Sequence, residues 1–238
     1  NNVSLNLSAV AAGVGGFAIT GGSTGNNFGT SLSNAGDVNG DGLSDVIVGA
    51  YAAGSNAGKE YVVFGKTSTS AVNVASLGTD GFVINGQAVN DYSGQVTNAG
   101  DINGDGFADV FVGANGASGG AGKTYVVLGK SNNTAVDLSA VATGVGGFMI
   151  QGEAAGDGSG WAVSAAGDIN GDGLTDVLIG AYKSDISGVD SGRSYVVYGT
   201  TATANINLSN LGSSGFAIDG QAAGDQNGYS VSAAGDVN

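Results

Sequence analysis

The chain repeats a fixed order of short apolar segments about every 64–68 residues. Each repeat has a leading segment of alternating apolar and polar residues, then Gly-Phe-x-Ile-x-Gly, then a segment that ends in Ala-Gly-Asp. Two apolar runs follow, which in the first repeat are Asp45-Val-Ile-Val-Gly-Ala50 and Tyr61-Val-Val-Phe-Gly65. The segments are rich in β-branched and aromatic residues, they are separated by Gly, Asn, Asp and Ser, and they lack helical periodicity. The β-branched and aromatic segments among these predict four short β-strands in each repeat.

Four strands in each repeat is the unit from which the blades of a β-propeller are built. We therefore predict an all-β chain that forms a single, partial β-propeller of four-stranded blades over residues 1–238, with a solenoid or β-helix as the distant alternative. The repeat boundaries are predicted at 1–66, 67–130, 131–199 and 200–238, and the last repeat is incomplete.

An acidic nine-residue loop precedes the first apolar run of every complete repeat. It reads Asp-x-Asn-Gly-Asp-Gly-x-x-Asp at 37–45, 101–109 and 168–176, and the chain ends three residues into a fourth copy. Side-chain oxygens at positions 1, 3, 5 and 9, with a backbone carbonyl at position 7, predict a Ca²⁺ site, because Ca²⁺ takes six to eight oxygen ligands. The predicted ligands are Asp37, Asn39, Asp41, Leu43 and Asp45, then Asp101, Asn103, Asp105, Phe107 and Asp109, then Asp168, Asn170, Asp172, Leu174 and Asp176, with Asp236 and Asn238 in the incomplete copy.

The acidic loop differs from both an EF-hand and a simple hairpin turn. An EF-hand would place a bidentate Glu at position 12 and continue into a helix, whereas this chain has Val48, Val112 or Ile179 inside an apolar run. A hairpin turn accounts for Asn-Gly-Asp-Gly, but it does not require the Asp that every copy keeps at position 9. Three carboxylates in so small a volume repel one another, so we expect about three Ca²⁺ per chain and an incomplete fourth site.

Composition and charge exclude several classes of site and partner. The chain has no Cys and no His, so it has no disulfide, no thiolate metal site and no histidine proton shuttle. A net charge of −14 argues against nucleic acid and anionic membranes as partners. No apolar run is long enough for membrane insertion.

The order of these motifs resembles the FG-GAP repeat. That repeat builds the seven-bladed propeller of integrin α subunits and of many bacterial surface proteins. The resemblance implies Ca²⁺ in hairpin loops on one face and partners on the opposite face or at blade edges. The final Pro of the family pattern is here Tyr51, Asn115 or Tyr182. A ring of seven blades needs about twice this length, so we expect further blades or another subunit to close it.

The first functional hypothesis is an extracellular, secreted or cell-surface, calcium-stabilised module for adhesion or protein binding. The alternative is a propeller lectin that binds glycans at blade junctions. Its candidate residues are Asp91 with Tyr92, Asp157 with Trp161, and Asp225 with Tyr229. Core packing is the favoured interpretation for Trp161 and Tyr229, because aromatic residues in strands are usually buried.

An enzymatic role is not expected. Glu153 or Asp157 could serve as an acid or base, but neither has a paired partner in the sequence, and a non-catalytic part of a polysaccharide-acting enzyme is the weaker alternative. Lys59, Lys123 and Arg193 recur at one repeat position and are predicted to be solvated residues at the start of a strand.

Overall fold

The structure is a computed structural model that describes residues 6–235. The predicted ligands Asp236 and Asn238 lie outside the described residues.

Short β-strands dominate the described chain. In chain order they are β1 Ile19–Thr20, β2 Ser31–Gly36, β3 Asp45–Gly49, β4 Lys59–Val63, β5 Val72–Asn73, β6 Gly81–Asn85, β7 Ser93–Gly100, β8 Asp109–Ala114, β9 Lys123–Val127, β10 Val136–Asp137, β11 Gly147–Gln151, β12 Ala162–Gly167, β13 Asp176–Ala181, β14 Arg193–Val197, β15 Ile206–Asn207 and β16 Gly215–Asp219. The helical segments are single turns at Leu7–Ala11, Val74–Ser76, Leu138–Val141, Leu208–Asn210 and Gly212–Ser214, whereas Ala53–Asn56 and Ala117–Gly120 are turns that contain residues with left-handed backbone angles. No helix in residues 6–235 is long and apolar enough to cross a bilayer.

The strands form three four-stranded antiparallel sheets. The first sheet has the order β2-β3-β4-β6, the second β7-β8-β9-β11 and the third β12-β13-β14-β16. A short parallel strand extends the first sheet (β10) and the second sheet (β15), and β1 and β5 form a separate parallel pair. The predicted all-β fold, a propeller of four-stranded blades, is confirmed, and within residues 6–235 the sheets do not close into a ring.

The sheets and the sequence repeats are offset by one strand. The strand that carries Phe82 stands in the second repeat of the sequence but pairs with β4 of the first sheet, where Phe82 lies opposite Val62. Phe148 lies opposite Val126 in the second sheet in the same way. Each sheet therefore takes its outer strand from the repeat that follows.

Three hydrophobic cores lie between consecutive layers of strands. Successive side chains of a strand point to opposite faces, so Tyr125 and Val127 of β9 pack against the first sheet while Val126 packs against the third. A third core joins the β1–β5 pair to the first sheet. The layers are stacked so that each sheet is buried on the faces it shares with its neighbours.

Glycine permits the closest approach between neighbouring sheets. A Cβ atom at Gly49 would lie 2.1 Å from the carbonyl oxygen of Gly94 in the next sheet. The same close approach recurs at Gly113 and Gly180. The Gly-Ala pair that ends each β-branched run is thus required by sheet-to-sheet packing.

The antiparallel topology sorts the connections onto two faces. The loops between the first two strands of each sheet, 37–44, 101–108 and 168–175, lie at one end of the strands and define the acidic-loop face. The connections between the second and third strands, 50–58, 115–122 and 182–192, lie at the other end and define the opposite face.

Candidate functional sites

The three acidic loops fold in the same way around the first aspartate. In the first loop the Asp37 carboxylate accepts hydrogen bonds from the amides of residues 40–42 at 2.8, 3.0 and 2.8 Å. The Asn39 Oδ1 atom accepts the N–H of Asp41 at 3.0 Å, and the Asp41 Oδ1 atom accepts the N–H of Leu43 at 2.8 Å. Gly40 and Gly42 have φ values of 77° and 85°, so the turn requires the left-handed region that glycine tolerates.

The other two loops repeat this hydrogen-bond set with distances that agree within about 0.1 Å. The side chains at positions 1, 3 and 5 are thereby gathered at the mouth of each loop. These residues are Asp37, Asn39 and Asp41, then Asp101, Asn103 and Asp105, then Asp168, Asn170 and Asp172.

The aspartate at position 9 has a structural role that sequence reasoning missed. Asp45 is 1% exposed, and its two oxygens accept the N–H of Val38 at 2.8 Å and of Gly65 at 2.7 Å. Asp109 and Asp176 are equally buried and make the equivalent pair of bonds. The side chain therefore ties the start of the loop to the end of the third strand. The recurrence of glycine after Tyr-Val-Val-x was the sequence signal for this contact.

Burial and neighbouring charge raise the pKa of two of these carboxyl groups, Asp45 and Asp109. Burial raises the pKa of Asp109 to about 7, and the charges of Asp105 and Asp101 raise it further against two backbone hydrogen bonds that lower it. Burial, with Asp41 and Asp37 nearby, also raises the pKa of Asp45. A bound cation would offset this repulsion.

The side chains of the loops are the right type of ligand for a hard cation, but they are not already arranged around a common centre. Every side chain at positions 1, 3, 5 and 9 offers oxygen, and each carboxylate oxygen of Asp45 accepts only one hydrogen bond although it has two lone pairs. Within residues 6–235, no three acidic side chains lie close enough to form a metal centre by themselves. The Asp45 side chain is buried in the interior, whereas the Asp37 and Asp41 side chains lie at the loop mouth. The predicted ligand sets, including the carbonyls of Leu43, Phe107 and Leu174, stay a prediction.

The opposite face carries a cluster of aromatic side chains. The ring centroid of Trp161 lies 4.9 Å from that of Tyr182 and 5.8 Å from that of Tyr229, and the Tyr182 and Tyr229 centroids are 5.4 Å apart. Tyr229 is 55% exposed and Trp161 is only half-buried. The expectation that Trp161 and Tyr229 are core residues was wrong, because Trp161 precedes β12 and is only half-buried and Tyr229 lies in an exposed turn.

A cleft of about 380 Å³ opens beside this cluster and is lined by Tyr51, Tyr92, Gln95, Asn115 and Trp161. The aspartates predicted to accompany the aromatic residues turn into their own loops instead. The Asp225 Oδ2 atom accepts the amides of Gln221 and Ala222 at 3.0 and 2.8 Å. Asp91 and Asp157 are each 8% exposed, and burial raises the pKa of both carboxyl groups.

Comparison with known proteins agrees with this arrangement. The family model described as FG-GAP repeat matches residues 28–70, 93–127 and 159–197, and each match spans one acidic loop and the strands around it. The chain belongs to the FG-GAP repeat family.

The FG-GAP chain is also similar to two integrin α chains. It is 31% identical over 181 residues to "Integrin alpha-PS2" of Drosophila melanogaster, which covers 71% of this chain and 12% of that protein. It is 32% identical over 177 residues to "Integrin alpha-4" of Xenopus laevis, which covers 71% of this chain and 16% of that protein. The FG-GAP chain thus spans a small part of the length of these relatives.

The recurrent cations of the FG-GAP repeats are bound rather than solvated, which corrects the expectation for Lys123 and Arg193. Arg193 pairs with Glu153 at 2.7 Å and with Asp219 at 2.5 Å. The Lys123 Nζ atom donates to the Gln87 Oε1 atom at 2.8 Å. Lys59 is half-buried.

Glu153 and Gln87 each follow the outer strand of one sheet and accept hydrogen bonds from the third strand of the next sheet. The Tyr195 hydroxyl donates to the Glu153 Oε2 atom at 2.8 Å, and the Tyr125 hydroxyl donates to the Gln87 Oε1 atom. Glu153 therefore links two sheets through Arg193 and Tyr195. This bound state does not suit the acid or base role considered for it.

Proposed function

We propose that the chain is a calcium-stabilised propeller module for adhesion or protein binding that works outside the cell. The observation that carries the proposal is the acidic loop, which occurs three times with one hydrogen-bond geometry and only oxygen ligands. Asp37, Asn39, Asp41 and Asp45 and their counterparts would hold the ion, with the carbonyl of Leu43, Phe107 or Leu174. Each ion would join the loop mouth to the buried aspartate.

A weak Ca²⁺ site and an extracellular location are consistent with each other. Extracellular modules bind Ca²⁺ with dissociation constants of about 10⁻⁴–10⁻³ M, which suffices where Ca²⁺ is millimolar. A ligand that binds only the folded state stabilises it by mass action. The ions would thus be structural, and the proposal includes no catalytic step.

The binding role rests on the likeness to integrin α chains and on the surface chemistry. The net charge of −14 disfavours nucleic acid and anionic membranes, which leaves a protein or glycan as partner. The third sheet exposes 42% of Phe216 and 49% of Ile218, whereas the equivalent Phe82 and Ile84 are buried between sheets. We propose that further blades or another subunit cover this surface.

The test is thermal unfolding with excess EDTA and with added Ca²⁺, together with a calorimetric titration. We expect Tm to fall in EDTA and to recover as about three Ca²⁺ bind per chain. The variant Asp105→Asn should lower the stoichiometry by one site, whereas the control Asp80→Asn, on an exposed residue away from the loops, should not. An unchanged Tm in EDTA would show that the loops are only turns.

Glycan binding is a second candidate, and the exposed aromatic cluster favours it. Sugar rings stack on aromatic faces, and Trp161, Tyr182 and Tyr229 present such faces next to the cleft. Binding to an array of neutral oligosaccharides should be lost in Trp161→Ala and kept in Val189→Ala, which removes an exposed apolar side chain from the same face. Equal binding by both variants would rule out this site.

A further inference from the structure

The segment that follows the third strand has the same length and the same anchor in all three repeats. Gly65, Gly129 and Gly199 each donate an N–H to the Oδ1 atom of the position-9 aspartate, at 2.7, 2.8 and 2.8 Å. The next short strand then begins at Val72, Val136 or Ile206. Residues 66–71, 130–135 and 200–205 therefore correspond one to one.

In the second of these segments a half-buried lysine ammonium group contacts three oxygen atoms. The Lys130 Nζ atom lies 3.1 Å from the Asn132 Oδ1 atom and 3.3 Å from the Asn132 carbonyl oxygen, and it also contacts the carbonyl oxygen of Thr134. It lies 4.2 Å from the ring centroid of Phe82. Carbonyl oxygens and an aromatic face are the groups that stabilise an ammonium ion.

The first segment places a lysine at the same point, and the third does not. The Lys66 Nζ atom lies 4.9 Å from the ring centroid of Phe17. In the third segment the residues equivalent to Lys130, Asn132 and Thr134 are Thr200, Ala202 and Ala204. The substitutions replace the ammonium group and a side-chain acceptor with small side chains.

A cavity of about 430 Å³ lies at the place of the missing lysine. Thr200, Ala202 and Ala204 line it together with Tyr198, and Asn170 and Asp172 of the third acidic loop form another part of its wall. The corresponding space of the second segment, about 350 Å³, has Lys130 itself in its wall.

We propose that this cavity binds an alkylammonium group from outside the chain, such as the lysine side chain of a partner or a free diamine. The third acidic loop places the carboxylate of Asp172 in the wall of the cavity, beside Asn170. A cation is thus favoured there on charge, and Tyr198 offers an aromatic wall like the ring beside Lys130. The site goes beyond the adhesion role, and because Asp172 is also a proposed Ca²⁺ ligand, its test keeps Ca²⁺ present throughout.

The experiment is a titration of the ¹⁵N-labelled full chain, in calcium-containing buffer, followed by amide chemical shifts. The probe is Nα-acetyl-lysine amide, and its uncharged match is Nα-acetyl-norleucine amide. Saturable shifts at residues 198–206 and 213–214 with the lysine probe alone are expected. Cadaverine, a free diamine, is the second arm: comparable affinity for it assigns the site to free amines, and weaker affinity assigns it to lysine side chains.

Two variants decide whether the cavity itself is responsible. Thr200→Lys supplies the ammonium group from within and should weaken probe binding by about tenfold or more, a change equivalent to about 1.4 kcal/mol. Thr201→Lys adds the same charge on an exposed neighbour outside the lining and should leave the affinity within about twofold. Equal shifts with the norleucine probe, or equal losses in the two variants, would overturn the proposal. A circular dichroism spectrum unchanged in Thr200→Lys confirms that the variant is folded.

Discussion

The acidic-loop face and the opposite face differ in how closely the three repeats agree. The acidic loops keep the same residue types at positions 1, 3, 5 and 9 and the same hydrogen bonds. On the opposite face Tyr51, Asn115 and Tyr182 share one repeat position, and the third connection, 182–192, is longer than the other two. Interactions that hold each blade together are repeated, whereas the face that differs from blade to blade is free to recognise a partner.

The difference between the two faces is tested most directly by removing one buried aspartate. Asp109→Ala leaves the amides of Ile102 and Gly129 buried without a partner, and we expect the free energy of unfolding to fall by about 4 kcal/mol. Asp225→Ala on the opposite face also removes an acceptor of two amides, but an exposed one, and should cost about 1 kcal/mol. Urea unfolding measures both. Equal losses would show that the two faces do not differ in this respect.

A second difference lies between the first two sheets, near the opposite face. Glu60 is fully buried between the first two sheets, and among residues 6–235 neither carboxylate oxygen has a hydrogen-bond partner, because the nearby Ser93 hydroxyl donates to the Ala57 carbonyl oxygen instead. Burial raises the pKa of Glu60 from 4.5 to about 8. The equivalent positions hold Thr124 and Ser194, which do not ionise.

The sign of the pH effect follows from the raised pKa. The folded state holds the Glu60 proton more tightly than the unfolded chain, so its contribution to stability is complete below about pH 4.5 and is lost as pH rises to about 8. We expect the difference in unfolding free energy between Glu60→Gln and the parent chain to grow by about 1 kcal/mol per pH unit over that range. Denaturant unfolding from pH 5 to 8 measures it, with Asp80→Asn as an exposed control. Parallel pH profiles for Glu60→Gln and the parent would contradict the burial argument.

A third test concerns the two ion pairs of Arg193 at the opposite face, of which the pair with Glu153 joins two sheets and the pair with Asp219 lies within the third sheet. Arg193→Met removes the contacts to Glu153 and Asp219, which are partly exposed, so the expected loss is about 1 kcal/mol. The loss should shrink in 1 M salt, where the Debye length is about 3 Å. Lys183→Met, on an exposed neighbour, should change stability by less than about 0.5 kcal/mol. A loss in Arg193→Met that does not depend on salt would assign it to packing instead.

The smallest effect on stability is expected at the aromatic cluster. Tyr229 is 55% exposed, so Tyr229→Ala should change the free energy of unfolding by about 0.5 kcal/mol or less while it weakens any binding at the opposite face. Thermal unfolding and the oligosaccharide array measure the two quantities on one sample. A large loss of stability would place Tyr229 among the residues that hold the fold.

The sequence predicted the local elements because their signals are local. The apolar, β-branched runs became strands β3, β8 and β13, and Asn-Gly-Asp-Gly became a loop of left-handed glycines. Pairing across repeats was harder to predict, because nothing near Phe82 indicates that its strand joins the sheet of the preceding repeat. The position of Asp45 inside the protein, and of Trp161 near its surface, also depends on neighbouring sheets rather than on nearby sequence.

The offset between repeats and sheets has a mechanical consequence. Every repeat after the first supplies a strand to the sheet before it, as β6 pairs with β4 of the first sheet. Removing any one repeat would therefore disrupt two sheets. A protease that cut the connection at residues 66–71 would leave two pieces clasped by five paired residues of β4 and β6 and by the core around them. Strand pairing and core packing thus connect parts of the protein that the backbone does not connect directly. A nicked or stretched chain holds together through these contacts.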